Sequence, residues 1–515
     1  MTFFKYISTS NLGLVFNALI CSFFIFIAID FAPHDFANYY FGGTFIREGL
    51  FTSDIYFPHI FNHEISALGY ENLFVSFAPN TPFLGALFFP LSFFSLATAK
   101  IIFNIGSLLL FLYSLRNLIK TYRINPIYLW LLPLVFFIPL RNNFLFGQVY
   151  LVLFFLLTEG FLAYRKNKYL KMGLFWSFAI LLKVFPVLLF GMLLFRKKYW
   201  GIFYLSAACI ILLCFSLVIS GFEIWEFYFS SVLPKSGNGE IAGEFVQNYQ
   251  SVFMFLKYVF PTNILAFSML LFLFKLMLLV LAYFVSIREK SKLKVFAFWM
   301  LLAILLSPYG STYTNLLILF PFLYFIKKAA FRKKNVGIII LILLITTIPI
   351  SYFSNFEIPF SFPRMWLLLL LLFVLIKDNL FQINWKKSLL FILPVSFLYF
   401  FLFLPKNDVT KFESISSDHI LSYDFAIKDS ILHYKYWDAK GEHLQTTEIQ
   451  VTTIDTSNIY LIDNQIIYKN KQLTFGKDHK LKPAIINGQT LVYLSDIKKG
   501  IGFYSLLSSP ININK

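Results

Sequence analysis

Residues 12–32 read LGLVFNALICSFFIFIAIDFA, a run in which Asp30 is the only charged side chain. An α-helix needs about 20 apolar residues to cross the hydrocarbon core of a bilayer. The run is too long for the core of a secretory signal peptide, and no small-residue cleavage site follows it. We therefore interpret it as an uncleaved first membrane helix. It decides the fold class, because similar runs recur along most of the chain.

Apolar runs of this kind continue to residue 404. The 515 residues are 58% hydrophobic and 14% charged, with a mean hydropathy of +0.71, which a soluble domain does not need. The predicted fold is an all-α polytopic membrane bundle over residues 1–404, with about 11–13 transmembrane helices. The predicted segments are 12–32, 81–98, 101–115, 126–140, 147–164, 170–195, 200–220, 262–287, 295–310, 312–327, 336–351, 363–377 and 388–404.

The formal net charge of +18 sits mostly in short basic clusters between the apolar runs. Such clusters mark cytoplasmic loops under the positive-inside rule, so the charge sets topology and does not indicate nucleic acid. Anionic lipid headgroups are secondary partners. Two schemes stay open: either segment 170–195 is a hairpin broken near Lys183 and Pro186, or two basic clusters lie outside. Both place the C-terminus and the first long loop, residues 33–79, outside.

Residues 405–515 have a different composition. Stretches such as IYLIDNQIIYKNKQLTF (459–475) alternate apolar and polar residues and are separated by the turn signals DN, NG and KG. This period of two predicts a small β-rich extramembrane domain. Its sequence names no ligand.

The first outer loop carries acidic and histidine side chains in an aromatic context. Asp35 lies where the first apolar run ends, and Asp54 and His59 follow it. Ionisable groups at the edge of a bilayer are costly and are functional by default, although a solvated carboxylate at a helix end is the alternative. His59 and His63 are spaced i, i+4, but the loop lacks a stronger metal-ligand pattern, so we predict no metal.

Polar residues interrupt several of the predicted helices. They are Arg141 and Gln148, Lys183, Asn248, and the hydroxyl-rich SPYGSTYTN around Tyr313. A lysine at the centre of a span costs about 2.5–3.5 kcal/mol. Lys183 therefore reaches an anion such as phosphate, or it snorkels from a short helix end. An acid over a basic groove fits transfer of a lipid-phosphate-linked sugar to an acceptor alcohol.

Five stretches of the sequence resemble the GT-C membrane glycosyltransferases, and most closely glycosyltransferase family 87. HDFANYYFGGTFIREG followed by DIY resembles the first-loop motif of the family, and FAPNTPFLGALFFPL is similar to its proline-rich start of the second helix. FGQVYLVLFFLL resembles a G-Q-x-N stretch, with Tyr150 in place of asparagine. LKVFPVLLFGMLLFRKKYW resembles a K-x-x-P segment. LLSPYGSTYTNLLILFP resembles S-P-x-S-W-x-H, with Ser311 and Tyr313 in place of tryptophan and histidine.

The resemblance implies an inverting hexosyltransferase that uses a polyprenyl-phosphate sugar, mannose-like, and needs no cofactor. It places the essential first-loop aspartate of the family on Asp35, as the general base. Lys183, with Arg141 and Gln148, is implied to bind the donor phosphate. Contacts to sugar or acceptor are assigned to a wider set of residues, namely Asp54, His59, Tyr39, Asn248 and Tyr313.

The implied acceptor is a glycolipid or glycan hydroxyl at the outer face of a bacterial inner (plasma) membrane. Two other classes remain open. A transporter or flippase of polyprenyl-linked saccharide also needs a polar groove, but paired interrupted halves are absent from the sequence. A polymerase of surface polysaccharide would favour arginine-rich outer loops, which the sequence also lacks.

Overall fold

The computed structural model of the chain describes residues 2–70, 73–240, 249–261, 263–327, 333–353, 356–380, 412–416, 421–438, 441–476 and 478–511. The chain divides into two compact units. The first unit contains Met1–Gly43, Phe83–Ile219 and Gln247–Pro405. The second contains Thr44–Pro82, Ser220–Val246 and Lys406–Lys515.

Most of the described chain is helical. The helices are α1 (Thr2–Ile27), α2 (His34–Glu48), α3 (Pro58–Ala67), α4 (Pro82–Phe88), α5 (Leu96–Tyr122), α6 (Ile127–Val135), α7 (Phe137–Phe146), α8 (Tyr150–Arg165), α9 (Tyr169–Leu182), α10 (Leu188–Phe195), α11 (Tyr199–Ser220), α12 (Phe222–Phe227), α13 (Leu233–Gly237), α14 (Val252–Val259), α15 (Ile264–Arg288), α16 (Lys292–Leu306), α17 (Leu319–Ile326), α18 (Lys333–Thr347) and α19 (Pro363–Leu380). Short 3₁₀ turns join several of them.

The helices confirm a membrane bundle. Among the described residues, four helical stretches are long and apolar enough to span a bilayer: Ser10–Ile27, Leu96–Tyr122, Tyr199–Ser220 and Leu265–Arg288. Helices α6 and α7 form a fifth span if they are counted together, and they are bent by 60°. Several other predicted segments are shorter apolar helices, so the described chain holds fewer full-length spans than the 11–13 expected. The predicted segment 388–404 lies outside the described residues.

The predicted break at Lys183 is confirmed. Helix α9 ends at Leu182, Lys183 is extended (φ −147°, ψ 125°), and Phe185–Val187 forms a 3₁₀ turn before α10. Pro186 has no amide hydrogen and disfavours helical geometry in the residue before it, which accounts for the interruption. The lysine therefore stands at a helix end inside an apolar segment.

The first long loop, residues 33–79, is mostly helical, which differs from the loop expected from the sequence. Helix α2 covers residues from His34, Ser53–Tyr56 forms a 3₁₀ turn, and α3 follows. Phe36, Tyr40 and Phe41 are buried, and Phe36 and Tyr40 are four residues apart, which places them on one side of a helix. Glycine and aromatic residues obscured this helical spacing in the sequence.

The C-terminal strands confirm that the C-terminal region is β-rich. The strands are β1 (Glu413–Ser414), β2 (Leu421–Lys428), β3 (Ile431–Asp438), β4 (Gly441–Gln450), β5 (Ile454–Asp455), β6 (Ile459–Ile462), β7 (Gln465–Tyr468), β8 (Lys471–Gln472), β9 (Lys480–Ile486), β10 (Thr490–Ser495) and β11 (Ser505–Pro510). They form a five-stranded sheet in the order β1-β11-β10-β9-β5 and two three-stranded sheets, β2-β3-β4 and β6-β7-β8. The strand pairs are antiparallel.

The five-stranded sheet is covered on both faces. Ile486 and Val492 pack in one cluster with Leu432 of β3, whereas the adjacent Ile485 packs in another cluster with Ile466 of β7. Successive side chains of a strand point to opposite faces, so the alternation read from the sequence fills two separate cores. Strands β6 and β7 meet at the predicted DN turn, where both residues have positive φ, as a tight hairpin turn requires.

Groups from two segments of the second unit, Ser220–Val246 and Lys406–Lys515, meet at Asp496. Its Oδ1 lies 2.6 Å from Lys235 Nζ, and its Oδ2 lies 3.2 Å from His479 Nδ1 and accepts from the Gly502 amide at 2.9 Å. Burial alone would raise the pKa of this carboxyl, but the hydrogen bond from His479 and the Lys235 charge outweigh burial and hold the pKa below its usual value. Asp496 is therefore a buried, ionised carboxylate.

Candidate active site

The candidate site begins on the first two turns of α2. Asp35 and Tyr39 are four residues apart, so both lie on the same side of this helix. The Gln148 side-chain amide donates to Asp35 Oδ2, and the Tyr39 hydroxyl donates to Gln148 Oε1 at 2.8 Å. Gln148 is only 3% exposed, so this chain of hydrogen bonds is shielded from solvent. It holds the Asp35 carboxylate in one orientation.

Gly147 is what lets Gln148 approach α2. It ends α7 with φ +63°, a left-handed conformation that favours glycine. A Cβ at this position would lie 2.6 Å from the Phe36 Cβ. The close approach places the next residue, Gln148, directly beside Asp35 and Tyr39. The Gly-Gln pair therefore serves the geometry of the site.

Lys183 joins the same cluster from the end of α9. Its Nζ lies 5.7 Å from the centroid of the Tyr39 ring, and its charge interacts with that of Asp35. A cation over an aromatic face is favourable, particularly where water is depleted. The site thus combines a fixed carboxylate with a nearby ammonium group in an apolar bundle.

Tyrosine side chains surround these charged groups. The rings of Tyr150 and Tyr313 are 5.4 Å apart, and the Tyr249 ring lies 5.4 Å from that of Tyr309. Tyr150, Tyr249 and Tyr313 all interact electrostatically with Asp35. Hydroxyls on rigid aromatic rings can contact both sugar hydroxyls and an anion. The tyrosine hydroxyls thus provide polar groups in the site, and the aromatic rings provide apolar surface.

Tyr313 is held in place by α7. The Asn142 side chain donates to Thr312 Oγ1 at 2.7 Å, and the Asn143 side chain donates to the Tyr313 carbonyl at 3.3 Å. These bonds attach the 3₁₀ turn Tyr313–Ile318 to the helix that precedes Gln148. The RNN stretch (141–143) and the STYT stretch (311–314) are thus joined by side-chain hydrogen bonds.

Arg141 is also on α7 and is half-buried. Among the described residues its side chain makes no hydrogen bond or ion pair. A half-buried guanidinium without a protein anion is suited to an anionic ligand, because it presents several donors in a fixed plane.

The sequence interpretation missed two of these tyrosines. In the sequence, Tyr150 stands out only as a departure from the family motif, and Tyr249, beside Asn248, carries no predicted role. Their position among amide side chains, in GQVY and QNYQ, was the available signal. Asn248 itself lies outside the described residues.

Asp54 and His59 belong to the second unit. Asp54 is exposed, and its amide bonds to Thr52. The His59 ring packs 5.6 Å from that of Tyr504, and burial lowers its pKa from 6.5 to about 4. Among the residues that the structure describes, no group of three His, Cys, Asp or Glu side chains could hold a metal ion.

The part of the chain that contains several of these interrupted apolar helices also matches a known protein family. Residues 77–308 match the family model of glycosyltransferase family 87. Through this segment the chain belongs to glycosyltransferase family 87. The protein is therefore a membrane glycosyltransferase, and it acts on a sugar donor and an acceptor.

The matched segment of this family 87 glycosyltransferase contains Arg141, Gln148 and Lys183. Asp35 precedes the matched segment and Tyr313 follows it. Both contact residues inside that segment, because Asp35 accepts from Gln148 and the Tyr313 ring packs against Tyr150. No curated protein and no solved structure matches the chain.

Proposed function

We propose that this family 87 glycosyltransferase transfers a mannose-like hexose from a polyprenyl-phosphate sugar to a hydroxyl of a glycolipid or glycan. The reaction takes place at the outer face of a bacterial inner membrane, and the configuration at the anomeric carbon is inverted. The observation that carries the proposal is the Asp35 carboxylate fixed by Gln148 beside Lys183. It supplies a base and a cation within one cluster.

Asp35 is the general base of the proposed reaction. The acceptor oxygen attacks the anomeric carbon as Asp35 takes its proton, and the bond between that carbon and the phosphate oxygen breaks. The bonding electrons leave with the polyprenyl phosphate. The Gln148 amide donates to one oxygen of the Asp35 carboxylate and so orients the carboxylate for proton transfer.

Lys183 stabilises the charge that develops on the departing phosphate. A preorganised cation is worth most where charge appears in the transition state and water is scarce. Arg141 is a second cation with no described protein partner, and it contributes donors for phosphate oxygens. Tyr39 and Tyr313 provide hydroxyl and ring surfaces for the sugar, and the apolar helices accommodate the polyprenyl chain.

The test uses purified full-length protein in proteoliposomes with a panel of labelled polyprenyl-phosphate sugars and a lipid extract as acceptor. We expect transfer from one donor, with the product of opposite anomeric configuration. The Asp35→Asn variant should lose transfer about 10²–10⁴-fold, the range for general acid–base catalysis. Asp30→Asn is the matched control, because it removes an exposed carboxylate to which no role in the reaction is assigned.

A flippase would give a different result. It would move the labelled donor across the bilayer without forming a new glycosidic bond. Neither the wild type nor the Asp35→Asn variant would then form a glycosylated product. Full transfer by Asp35→Asn would show instead that another group acts as the base.

A further inference from the structure

Four cations converge at one end of the bundle, away from the residues proposed for catalysis. They are Arg165, Arg196, Lys198 and Lys292, here called the basic cluster. Arg165 ends α8, Arg196 and Lys198 follow α10, and Lys292 begins α16. The charge of Lys292 interacts with those of the other three, and no carboxylate is among the principal charged groups that act on it.

Two of these cations have a structural role as helix caps. Lys292 Nζ donates to the Arg165 carbonyl at the end of α8 at 3.1 Å. Arg196 donates to the carbonyls of Ser286 and Glu289 at the end of α15, at 2.9 and 2.8 Å. Cations at helix C-termini interact favourably with the helix dipole. Capping therefore explains Lys292 and Arg196 taken singly.

Capping does not neutralise the cluster. Two helix C-termini supply roughly −0.5 charge each, whereas the cluster carries four positive charges, so about three remain unbalanced. The nearest acid in sequence, Glu289, is already paired with Lys294 at 2.9 Å. Lys198 is half-buried and, among the described residues, its side chain has no hydrogen bond or ion pair. Holding like charges together is costly unless an anion joins them.

Aromatic rings hold the cluster in place. Arg165 lies over the Tyr122 ring at 4.5 Å, and Lys292 lies 5.2 Å from the centroid of the Tyr164 ring. Both contacts restrict long side chains that would otherwise spread into solvent. The cations are thus positioned before any ligand arrives.

The rim of the cluster identifies the source of the anion. Tyr199 and Trp200 follow Lys198 directly and are exposed, as are the apolar side chains of Leu194 and Phe203. Tyrosine and tryptophan collect at the level of lipid headgroups, with apolar residues facing the acyl chains. A phosphate at the cluster therefore sits where the headgroup of a phospholipid sits.

We propose that the basic cluster binds the phosphate of an anionic phospholipid, with Lys198 as its unshared cation and Arg165, Arg196 and Lys292 around it. The site is separate from the donor-phosphate residues Lys183 and Arg141. Basic side chains beside a membrane surface attract anionic lipid, and each contributes to affinity.

The test is native mass spectrometry of the full-length protein released from detergent, titrated with phosphatidylglycerol or phosphatidylcholine. We expect tight retention of phosphatidylglycerol by the wild type, weakened about fivefold in Lys198→Gln and about 20-fold in Lys198→Gln/Lys292→Gln. Lys292 caps α8, so the double variant could lose lipid simply by being unstable. Lys198 makes no such cap, and the single Lys198→Gln variant therefore tests the proposal by itself.

Lys120→Gln/Lys168→Gln is the control, because both lysines are exposed and removing them changes net charge equally. Equal loss of phosphatidylglycerol in this control would overturn the proposal in favour of diffuse charge attraction. Displacement of the lipid by inorganic phosphate at equal concentration would also overturn it, since the site would then take free phosphate.

Discussion

At the scale of single residues, Gln148 is the side chain on which the candidate site depends. Its amide links two groups of α2, donating to Asp35 and accepting from Tyr39. The Asp35 carboxylate fixes which end of the amide faces it, because the reversed amide would place two acceptor oxygens together, and the Tyr39 hydroxyl then binds the other end of the same amide. Tyr39 therefore acts on Asp35 through Gln148.

This relay predicts unequal and coupled losses. Gln148→Met keeps the volume but removes a hydrogen bond to a charged group, worth about 1.5–3 kcal/mol, so kcat should fall roughly 10–100-fold. Tyr39→Phe removes a neutral hydrogen bond of about 1 kcal/mol, so kcat should fall about fivefold. The double variant should be no slower than Gln148→Met, measured as transfer rate in proteoliposomes.

The KM for the donor separates positioning from binding. It should change little in Gln148→Met if Gln148 orients the base and does not hold the donor phosphate. Multiplicative losses in the double variant would show that Tyr39 acts independently of Gln148.

His59 makes the stability of the second unit depend on pH. Burial lowers its pKa from 6.5 to about 4, Asp54 opposes this shift and Lys482 adds to it. The unfolded state therefore binds more protons between those values, and the free energy of unfolding should fall as pH drops from about 6.5 to about 4. His59→Phe should remove this part of the slope in unfolding curves followed by fluorescence.

His63→Gln is the control for that measurement, because the His63 side chain is 81% exposed. Its pH slope should equal that of the wild type. Identical slopes in wild type and His59→Phe would mean that His59 does not titrate in this range.

At the scale of secondary structure, one glycine determines whether two helices can meet. Gly147 has a positive φ, and its Cα faces Phe36 of α2. In Gly147→Ala, the alanine would have to adopt a left-handed backbone conformation and its Cβ would overlap Phe36. We therefore expect the free energy of unfolding to fall by about 1–3 kcal/mol. Transfer activity should fall further, because Gln148 is displaced.

Gly106→Ala is the matched control. Gly106 lies in α5 with no neighbouring atom within 4 Å of an added Cβ, so alanine should be neutral or stabilising by up to about 1 kcal/mol. Thermal unfolding of both variants in the same detergent checks the pair. Equal unfolding temperatures would contradict the close approach of α7 and α2.

Local pattern predicted some elements and failed for others. The break at Lys183 and the strands after residue 420 follow from proline chemistry and from alternation, which are properties of neighbouring residues. Helix α2 was missed because its glycines and aromatic residues are poor helix formers in isolation, and packing stabilises it. Tyr249 was missed because only tertiary structure brings it near Asp35.

At the scale of the whole molecule, the second unit joins segments that are far apart in the chain. Lys235 and Asp496 are separated by 261 positions, and no local signal in the sequence pairs them. Phe57, from the first long loop, packs against the core cluster that contains Leu432 and Tyr504. The alternation in the sequence therefore predicted the strands of this unit but not the segments that complete it.

The Lys235–Asp496 pair should stabilise that assembly. The Lys235 side chain is 13% exposed and that of Asp496 is fully buried, so Lys235→Met leaves an uncompensated buried charge. Removing one partner of a buried pair typically costs about 3–5 kcal/mol. His479 and the Gly502 amide still bind Asp496, so we expect the lower end of that range.

Hydrogen exchange of the full-length protein measures the effect where it arises. In Lys235→Met, amides of residues 233–240 and 478–503 should exchange faster, whereas those of α5 should not change. Lys482→Met is the control, because its pair with Asp424 is largely exposed and is worth at most about 1 kcal/mol. If the two variants exchange alike, Lys235 contributes no more than a surface charge, and the packing of aromatic side chains such as Phe57 and His479 must hold the segments together.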